Sequence, residues 1–251
     1  MGKVEEVIVE PNMCQNEQER LTTLRAVDIS AINHDLNSTL SPIKICVEML
    51  ESSNTGPLNE KQKRMISTIH RCTDRLESLI RDIVYVYKLE LKSLQLSKSE
   101  LDVQNFMDDC MNVLKPMISE KQIELKTIVD TTEKIYADEN MLKLVLVNLV
   151  KNSVDFVPTI GGKITIKVEK DEVSNMVFTV EDNGEGIANN DLKKIFEKFY
   201  KDNSKQNRKY GGSGLGLTIC KGIVEEHGGR IWVNTKHAYG TSFKFTIPLI
   251  H

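Results

Sequence analysis

Within residues 141–156, MLKLVLVNLVKNSVDF, two asparagines stand one helical turn apart in a run otherwise apolar enough for a core. At ~3.6 residues per turn, Asn148, Lys151, Asn152 and Asp155 form one narrow stripe, while Leu142, Leu144, Val145, Leu146, Val147, Leu149, Val150 and Val154 cover the rest. Such a stripe either meets solvent or lines a polar cavity, where an asparagine offers a ligand both a donor and an acceptor. Two glycine clusters follow: Asp182-Asn183-Gly184-Glu185-Gly186 closes a strand-like run, and Gly211-Gly212-Ser213-Gly214-Leu215-Gly216-Leu217 opens a helical one. A glycine at a helix start costs roughly 1 kcal/mol relative to alanine. Four of them within six residues therefore act either as a hinge or as a way to bring backbone N–H groups close to an anion. The cluster is neither a Walker A loop, since Leu217 stands where lysine would follow, nor a GxGxxG dinucleotide turn. The basic run Lys198, Lys201, Lys205, Arg208 and Lys209 precedes it and suits either a solvated loop or a phosphate-binding one. Far upstream, NHDLNSTLSPI sets His34 two residues from both Ile32 and Leu36, on the outer face of a helix.

These groups must be held by folded elements, and composition bounds what those are. A chain of 251 residues with 40% apolar and 27% charged residues is ordinary for a globular protein of one large or two modest domains. A net charge of -3 argues against a general nucleic-acid or anionic-membrane binder. Cys14, Cys46, Cys72, Cys110 and Cys220 lie far apart with no CxxC pair, so reduced, packed thiols of a cytoplasmic protein are expected. No apolar run reaches the ~18 residues of a spanning helix, and no signal peptide is expected.

Texture changes near residue 98: of 14 glycines only Gly2 and Gly56 precede it, and strand-like runs occur only after it. Two domains are expected, residues 1–98 and 99–251. In the first, Ile29, Ile32, Leu36, Leu40, Ile43, Val47 and Leu50 recur at spacings of three and four. Ile66, Ile69, Thr73, Leu76, Ile80, Ile83 and Tyr87 do the same after the turn-like SSNTGPLN. The pattern predicts an all-α helical hairpin, bent at Pro42. A lone hairpin buries little, so a homodimeric four-helix bundle is expected. In the second domain LKTIVD, KITIKVEK, NMVFTVED, RIWVNT and SFKFTIP read as strands, with helices near 104–119, 139–156, 190–197 and 215–227. That is an α+β sandwich with helices on one face of a mixed sheet. YKDNSKQNRKYGGSG (200–214) reads as a surface loop or lid.

Taken in order, the two-asparagine helix, the strand ending in DNGEG, the aromatic pair in IFEKFYK and GGSGLGL opening a helix resemble the ATP-binding domain of sensor histidine kinases. That domain is a branch of the GHKL ATPases with the Bergerat nucleotide fold. The resemblance covers about residues 99–251, and YGTSFKFTIP is similar to the family's last glycine motif. It implies ATP and Mg²⁺ as cofactors, with Asn148, Lys151 and Asn152 in the N box and Asn152 as the Mg²⁺ ligand. It further implies that Asp182 accepts from the adenine amino group while Gly184 and Gly186 turn the chain beside the base. Phe196 and Phe199 form the F box, and Phe199, Tyr200 and Lys201 reach the nucleotide. Gly212, Gly214, Leu215, Gly216 and Leu217 carry the phosphates, with Thr241 in the last motif. In ATP-hydrolysing relatives the first helix position is a glutamate; Asn148 cannot accept a proton, so ATP is held without fast hydrolysis.

His34-Asp35 resembles the H box of the histidine kinase dimerisation domain, which implies that His34 takes the γ-phosphoryl group and Asp35 takes the proton from its other ring nitrogen. The implied function is autophosphorylation followed by transfer to an aspartate of a response regulator. A sensory domain would lie in a longer parent chain or a separate protein. His70, His227, His237 and His251 are read as structural or surface. The chain departs from the family pattern at four places: Thr39 stands where proline is usual, Ser38 where Thr or Asn is frequent, Ser153 where Ala is common, and Asp155 where a basic residue is frequent. These departures keep open a degenerate nucleotide-binding module that transfers nothing.

Overall fold

The fold comes from a computed structural model, which describes residues 35–52, 56–119, 121–188, 190–201, 212–235 and 240–249. The chain divides into two units, Met1–Leu94 and Gln95–His251. The first holds helix α1, described over 35–51, and helix α2, Glu60–Glu90. α2 starts at a capping box: the Asn59 side chain accepts from the Gln62 N–H at 2.9 Å, and the Gln62 side chain accepts from the Asn59 N–H at 2.9 Å. Its apolar spacing buries Ile66, Thr73, Ile80 and Val86, with Val47 from α1. The pair is tied by Lys44, whose ammonium lies 3.1 Å from Asp74 and 3.2 Å from Glu77. His70 adds a second tie, 3.3 Å from Glu51. Pro42 offers no N–H, so one α1 carbonyl loses its helical partner. Around it Ser38 and Thr39 donate to the Asp35 carbonyl at 2.8 and 2.9 Å, and Ser41 to that of Asn37 at 2.8 Å.

In the second unit the alternating runs become a five-stranded mixed sheet of order β2-β4-β5-β7-β6. Its strands are β2 (Glu124–Asp130), β4 (Lys163–Lys170), β5 (Asn175–Asp182), β6 (Ile231–Thr235) and β7 (Thr241–Pro248). β2 and β4 run parallel, and the other neighbours antiparallel. A two-stranded ribbon of β1 (Ser99–Asp102) and β3 (Lys134–Ala137) stands apart. Both strands are four residues long, too short to show a periodicity, and the sequence reading does not include them. Helices α3 (Val103–Ser119), α4 (Glu139–Phe156) and α5 (Gly216–Glu226) supply the other layer.

The period-2 pattern points Ile164, Ile166, Val168, Met176, Phe178, Val180, Phe245 and Ile247 at the core, all essentially inaccessible. α4 meets them with Leu142, Val145, Leu146, Leu149 and Val150, also inaccessible. Each such side chain contributes about 1.5–3 kcal/mol by leaving water. Phe178 stacks on Phe245 with ring centres 4.7 Å apart and meets Phe106 of α3 edge-on at 6.3 Å.

The helix expected near 190–197 is not formed. Residues 190–197 instead make successive tight turns, with N–H groups of Asp191, Lys194 and Glu197 bonded three residues back. Ile195 and Phe196 are only half-buried, so no buried stripe propagates a helix there. Cys110 and Cys220 are buried as expected, whereas Cys46 and Cys72 are exposed on the hairpin. No described helix is long and apolar enough to cross a membrane.

Candidate functional site

α4 begins at Asp138, whose carboxylate accepts from the Met141 N–H at 3.1 Å, and this cap fixes where its polar stripe falls. The start of α5 passes directly over Asn148: a Cβ placed on Gly216 would come within 3.7 Å of the Asn148 side chain. The Asn148 amide nitrogen is inaccessible and has no hydrogen-bond partner among the described residues. An orphaned buried donor costs about 1–3 kcal/mol, which a ligand acceptor would recover. α5 itself starts without a side-chain cap and without an acidic residue in its first turn. Among the described residues no side chain caps its leading N–H groups, which suits them to an anion.

Asp182 ends β5, in register between Ile164 of β4 and Thr241 of β7. It is 6% exposed. One carboxylate oxygen accepts from the Gly184 N–H at 2.9 Å and the Thr241 N–H at 3.3 Å; the other accepts from the Ser153 hydroxyl at 2.9 Å. Burial pushes its carboxyl above the usual range, and these three donors oppose the shift. Two glycines are obligatory around it. A Cβ on Gly184 would lie 2.7 Å from the Phe156 carbonyl oxygen and 2.8 Å from the Asp182 carboxylate. One on Gly240, whose φ is +104°, would lie 2.0 Å from the Asp182 carbonyl oxygen. Asn183 ties the turn to neighbouring chain, accepting from the Lys163 N–H at 2.7 Å and donating to the Gly161 carbonyl at 2.9 Å.

The aromatic segment packs on the glycine-rich one. Phe199 adopts φ +60°, and the glycine site at 214 brings the two backbones so close that a Cβ there would lie 2.9 Å from Phe199. Thr218 of α5 donates to the Phe196 carbonyl at 2.9 Å, and Tyr200 donates to Asp191. Ser213 accepts from the Leu215 N–H at 3.1 Å, and Leu215 is buried.

Three groupings emerge: Asn148 with Gly216, Asp182 with Gly184 and Thr241, and Phe199 with Gly214. Asn152 is half-buried on the same helix, and Leu217 follows Gly216 into α5. Gly186, at φ +74°, continues the turn after Asp182. Lys151 and Lys201 are exposed and Gly212 has open space around it, so no described contact draws these three in. Asp155 pairs with Lys121 at 3.4 Å, and burial raises its carboxyl. Asp35 is the first described residue of α1; its partner His34 and residues 202–211 of the expected lid lie outside the described residues. The sequence reading did not place Ser153 in the site. Its signals were a departure from the family pattern, where Ala is common, and a hydroxyl on the otherwise apolar side of α4.

Two family models match the chain: "His Kinase A (phospho-acceptor) domain" over residues 29–92 and "Histidine kinase-, DNA gyrase B-, and HSP90-like ATPase" over residues 137–251. Sensor histidine kinase WalK of Bacillus subtilis is 28% identical over 239 residues, 92% of this chain and 38% of its own. The chain thus spans well under two thirds of the length of such curated relatives. The full-length structure of ShkA in complex with AMPPNP superposes with a TM-score of 0.73 at 25% identity, over 88% of this chain and 45% of that one. The catalytic domain of histidine kinase ThkA matches with a TM-score of 0.53 at 30% identity, over 61% of this chain and 95% of that domain. ThkA in complex with response regulator protein TrrA matches with a TM-score of 0.61 at 26% identity, over 94% of this chain and 66% of that one. With the phospho-acceptor model matching the hairpin and the ATPase model matching the unit that follows it, the chain belongs to the histidine kinase family.

Proposed function

We propose that this chain is the kinase portion of a two-component sensor: an ATP-dependent protein-histidine kinase that phosphorylates His34 and passes the phosphoryl group to an aspartate of a response regulator. The observation that carries this reading is the inaccessible Asn148 amide nitrogen, without a hydrogen-bond partner among the described residues, beneath the start of α5 and on the same helix as the Ser153 that binds Asp182. Five residues separate the two positions, roughly 7.5 Å along α4, so one helix presents a phosphate end and a base end of one site. The orphaned donor, the glycine approach at 216 and the acceptor at Asp182 fit a nucleotide.

In this reading Asp182 accepts the adenine amino group, and the Thr241 N–H holds the carboxylate from behind. Gly184 and Gly186 shape the wall beside the base. Phe199, Tyr200 and Lys201 flank the nucleotide. Gly212, Gly214, Leu215, Gly216 and Leu217 give backbone N–H groups to the phosphates, and Lys151 adds positive charge at the rim. Asn152 would hold Mg²⁺, which neutralises charge on the transferring phosphoryl group when bound. Asn148 can donate but cannot take a proton, so water is not activated and the imidazole of His34 becomes the acceptor. Asp35 takes the proton from the other ring nitrogen and sets the tautomer.

Exposed Leu36, Ile43, Leu50, Ile69, Leu76 and Ile83 on the hairpin support a homodimer. The ThkA–TrrA complex supports a receiver domain as the partner, and the greater length of WalK supports a parent chain with a sensory part. Dependence on ATP and a receiver supports a cytoplasmic location.

Incubation with γ-radiolabelled Mg-ATP tests this. Acid-labile, base-stable label on the wild-type chain and none on His34→Gln is the expected result. Nucleotide bound with no label on either protein would overturn it in favour of a module that transfers nothing.

A further inference from the structure

The Asp182 carboxylate can be counted out. Each carboxylate oxygen accepts at about two positions, four in all. Two on one oxygen are filled by the N–H groups of Gly184 and Thr241, at 2.9 and 3.3 Å, and one on the other by the Ser153 hydroxyl at 2.9 Å. Among the described residues one acceptor position is left. The two N–H donors belong to the backbone, so among the described donors Ser153 is the one that a side chain supplies. It is 1% exposed and held by the apolar packing of α4 on either side of it, at Leu149, Val150 and Val154. The hydroxyl is thus placed by the helix and not by a loop.

We propose that Ser153 is a specificity-determining positioning residue: as third donor on Asp182 it orients the carboxylate and leaves a single acceptor position, which an exocyclic amino group fills and a 6-oxo group cannot. This deepens the nucleotide-site reading and rests on it. Adenine presents an amino donor at its 6-position; hypoxanthine and guanine present a carbonyl there, which faces the carboxylate acceptor to acceptor. A buried acceptor left facing another acceptor loses its hydrogen bond and gains repulsion, so discrimination at such a position is strong.

The same hydroxyl favours the ionised carboxylate against burial. The groups that face Asp182 from its surroundings are Ser153 from α4, Gly184 from the turn and Thr241 from β7, none of them titratable; the neighbouring charge is Glu181 on its own strand, which disfavours ionisation. Without Ser153 the carboxyl takes up a proton at higher pH. A protonated carboxyl is a donor, and a donor tolerates a 6-oxo group.

The test compares ADP with inosine diphosphate, which differ at the 6-position and N1 and undergo no phosphoryl transfer, by calorimetric titration of the whole chain with Mg²⁺ at about pH 6 and about pH 8. Wild type is expected to prefer ADP at both values. In Ser153→Ala the preference is expected to fall about fivefold to tenfold, more at the lower pH. Ser153→Thr, which keeps the hydroxyl, is expected to retain it. Ser153→Cys, close in shape with a far weaker donor, is expected to lose the preference as Ser153→Ala does, which separates the lost donor from any packing change that alanine brings. Equal ADP-to-IDP ratios in wild type, Ser153→Ala and Ser153→Cys, with ADP bound by all, would overturn the inference and leave the site standing. No ADP binding by wild type would overturn the site itself and the inference with it.

Discussion

At Asp182 the demands of folding and of the proposed binding conflict. Its carboxyl is raised by burial, so the folded chain holds that proton to higher pH than the unfolded chain does. Folding stability from this group is therefore greatest at low pH and is lost as pH rises from the ordinary 3.8 through the raised folded value. When it ionises, the carboxylate is a buried charge whose described partners are three neutral donors. Asp182→Asn removes the charge while its oxygen can still accept from Gly184 and Thr241, and the Ser153 hydroxyl can turn to accept from the new amide. The expected outcome is a higher thermal midpoint in the absence of nucleotide at pH 7, together with ATP affinity reduced about 10- to 100-fold. Differential scanning calorimetry and nucleotide titration check the two halves; a lower midpoint would show that the charge is worth more to the fold than burial costs it.

Among the elements, α4 and α5 are joined at their far ends by a pair of buried residues that the sequence did not expose as a pair. His227, at the C-terminal cap of α5, accepts through Nε2 from the Asp138 N–H at 3.0 Å, while its Nδ1 lies 2.8 Å from the Ile223 carbonyl. Only the neutral ring protonated at Nδ1 satisfies both. Asp138 also takes the Ser97 N–H at 2.8 Å, so the cap of α4 binds the chain entering this unit. Burial, with Lys98 adding to it, lowers the His227 pKa, opposed by the Ile223 carbonyl, Asp138 and Glu226. The unfolded chain then takes up a proton that the folded one refuses, so this stability is full above the ordinary 6.5 and is lost as pH falls below it toward the lowered folded value. The thermal midpoint is expected to drop between pH 7 and pH 5.5, and His227→Gln to flatten that part of the profile; identical profiles would assign the drop to other groups. Asn148, Asp182 and the glycine runs stood out in the sequence by type and order, and the structure packs Gly216 on Asn148 and Gly184 on Asp182. The roles of Ser153, Asp138 and His227 were not legible, because they depend on partners 29 and 89 residues away. The segment 190–197 misled because a few apolar residues at helical spacing do not make a helix without a surface to bury them.

At the scale of the whole molecule, the hairpin leaves Ile69, Leu76 and Ile83 of α2 at 45%, 46% and 42% exposure, a seam that one hairpin does not cover. If a second copy covers it, Ile69→Glu is expected to raise the dimer dissociation constant at least about 100-fold, read by light scattering across a dilution series. A wild-type chain monomeric at every concentration would remove the bundle. The other unit has a different dependence, on the order in which it is made. β7 is its last strand in sequence yet lies between β5 and β6, and its first residue, Thr241, gives the Asp182 carboxylate one of its donors. While a ribosome is still adding residues before 241, β5 has an open edge, β6 has no neighbour, and the carboxylate lacks that donor. The proposed nucleotide site is thus among the last features to form, and a chain whose synthesis stops before β7 carries the hairpin without the completed Asp182 pocket.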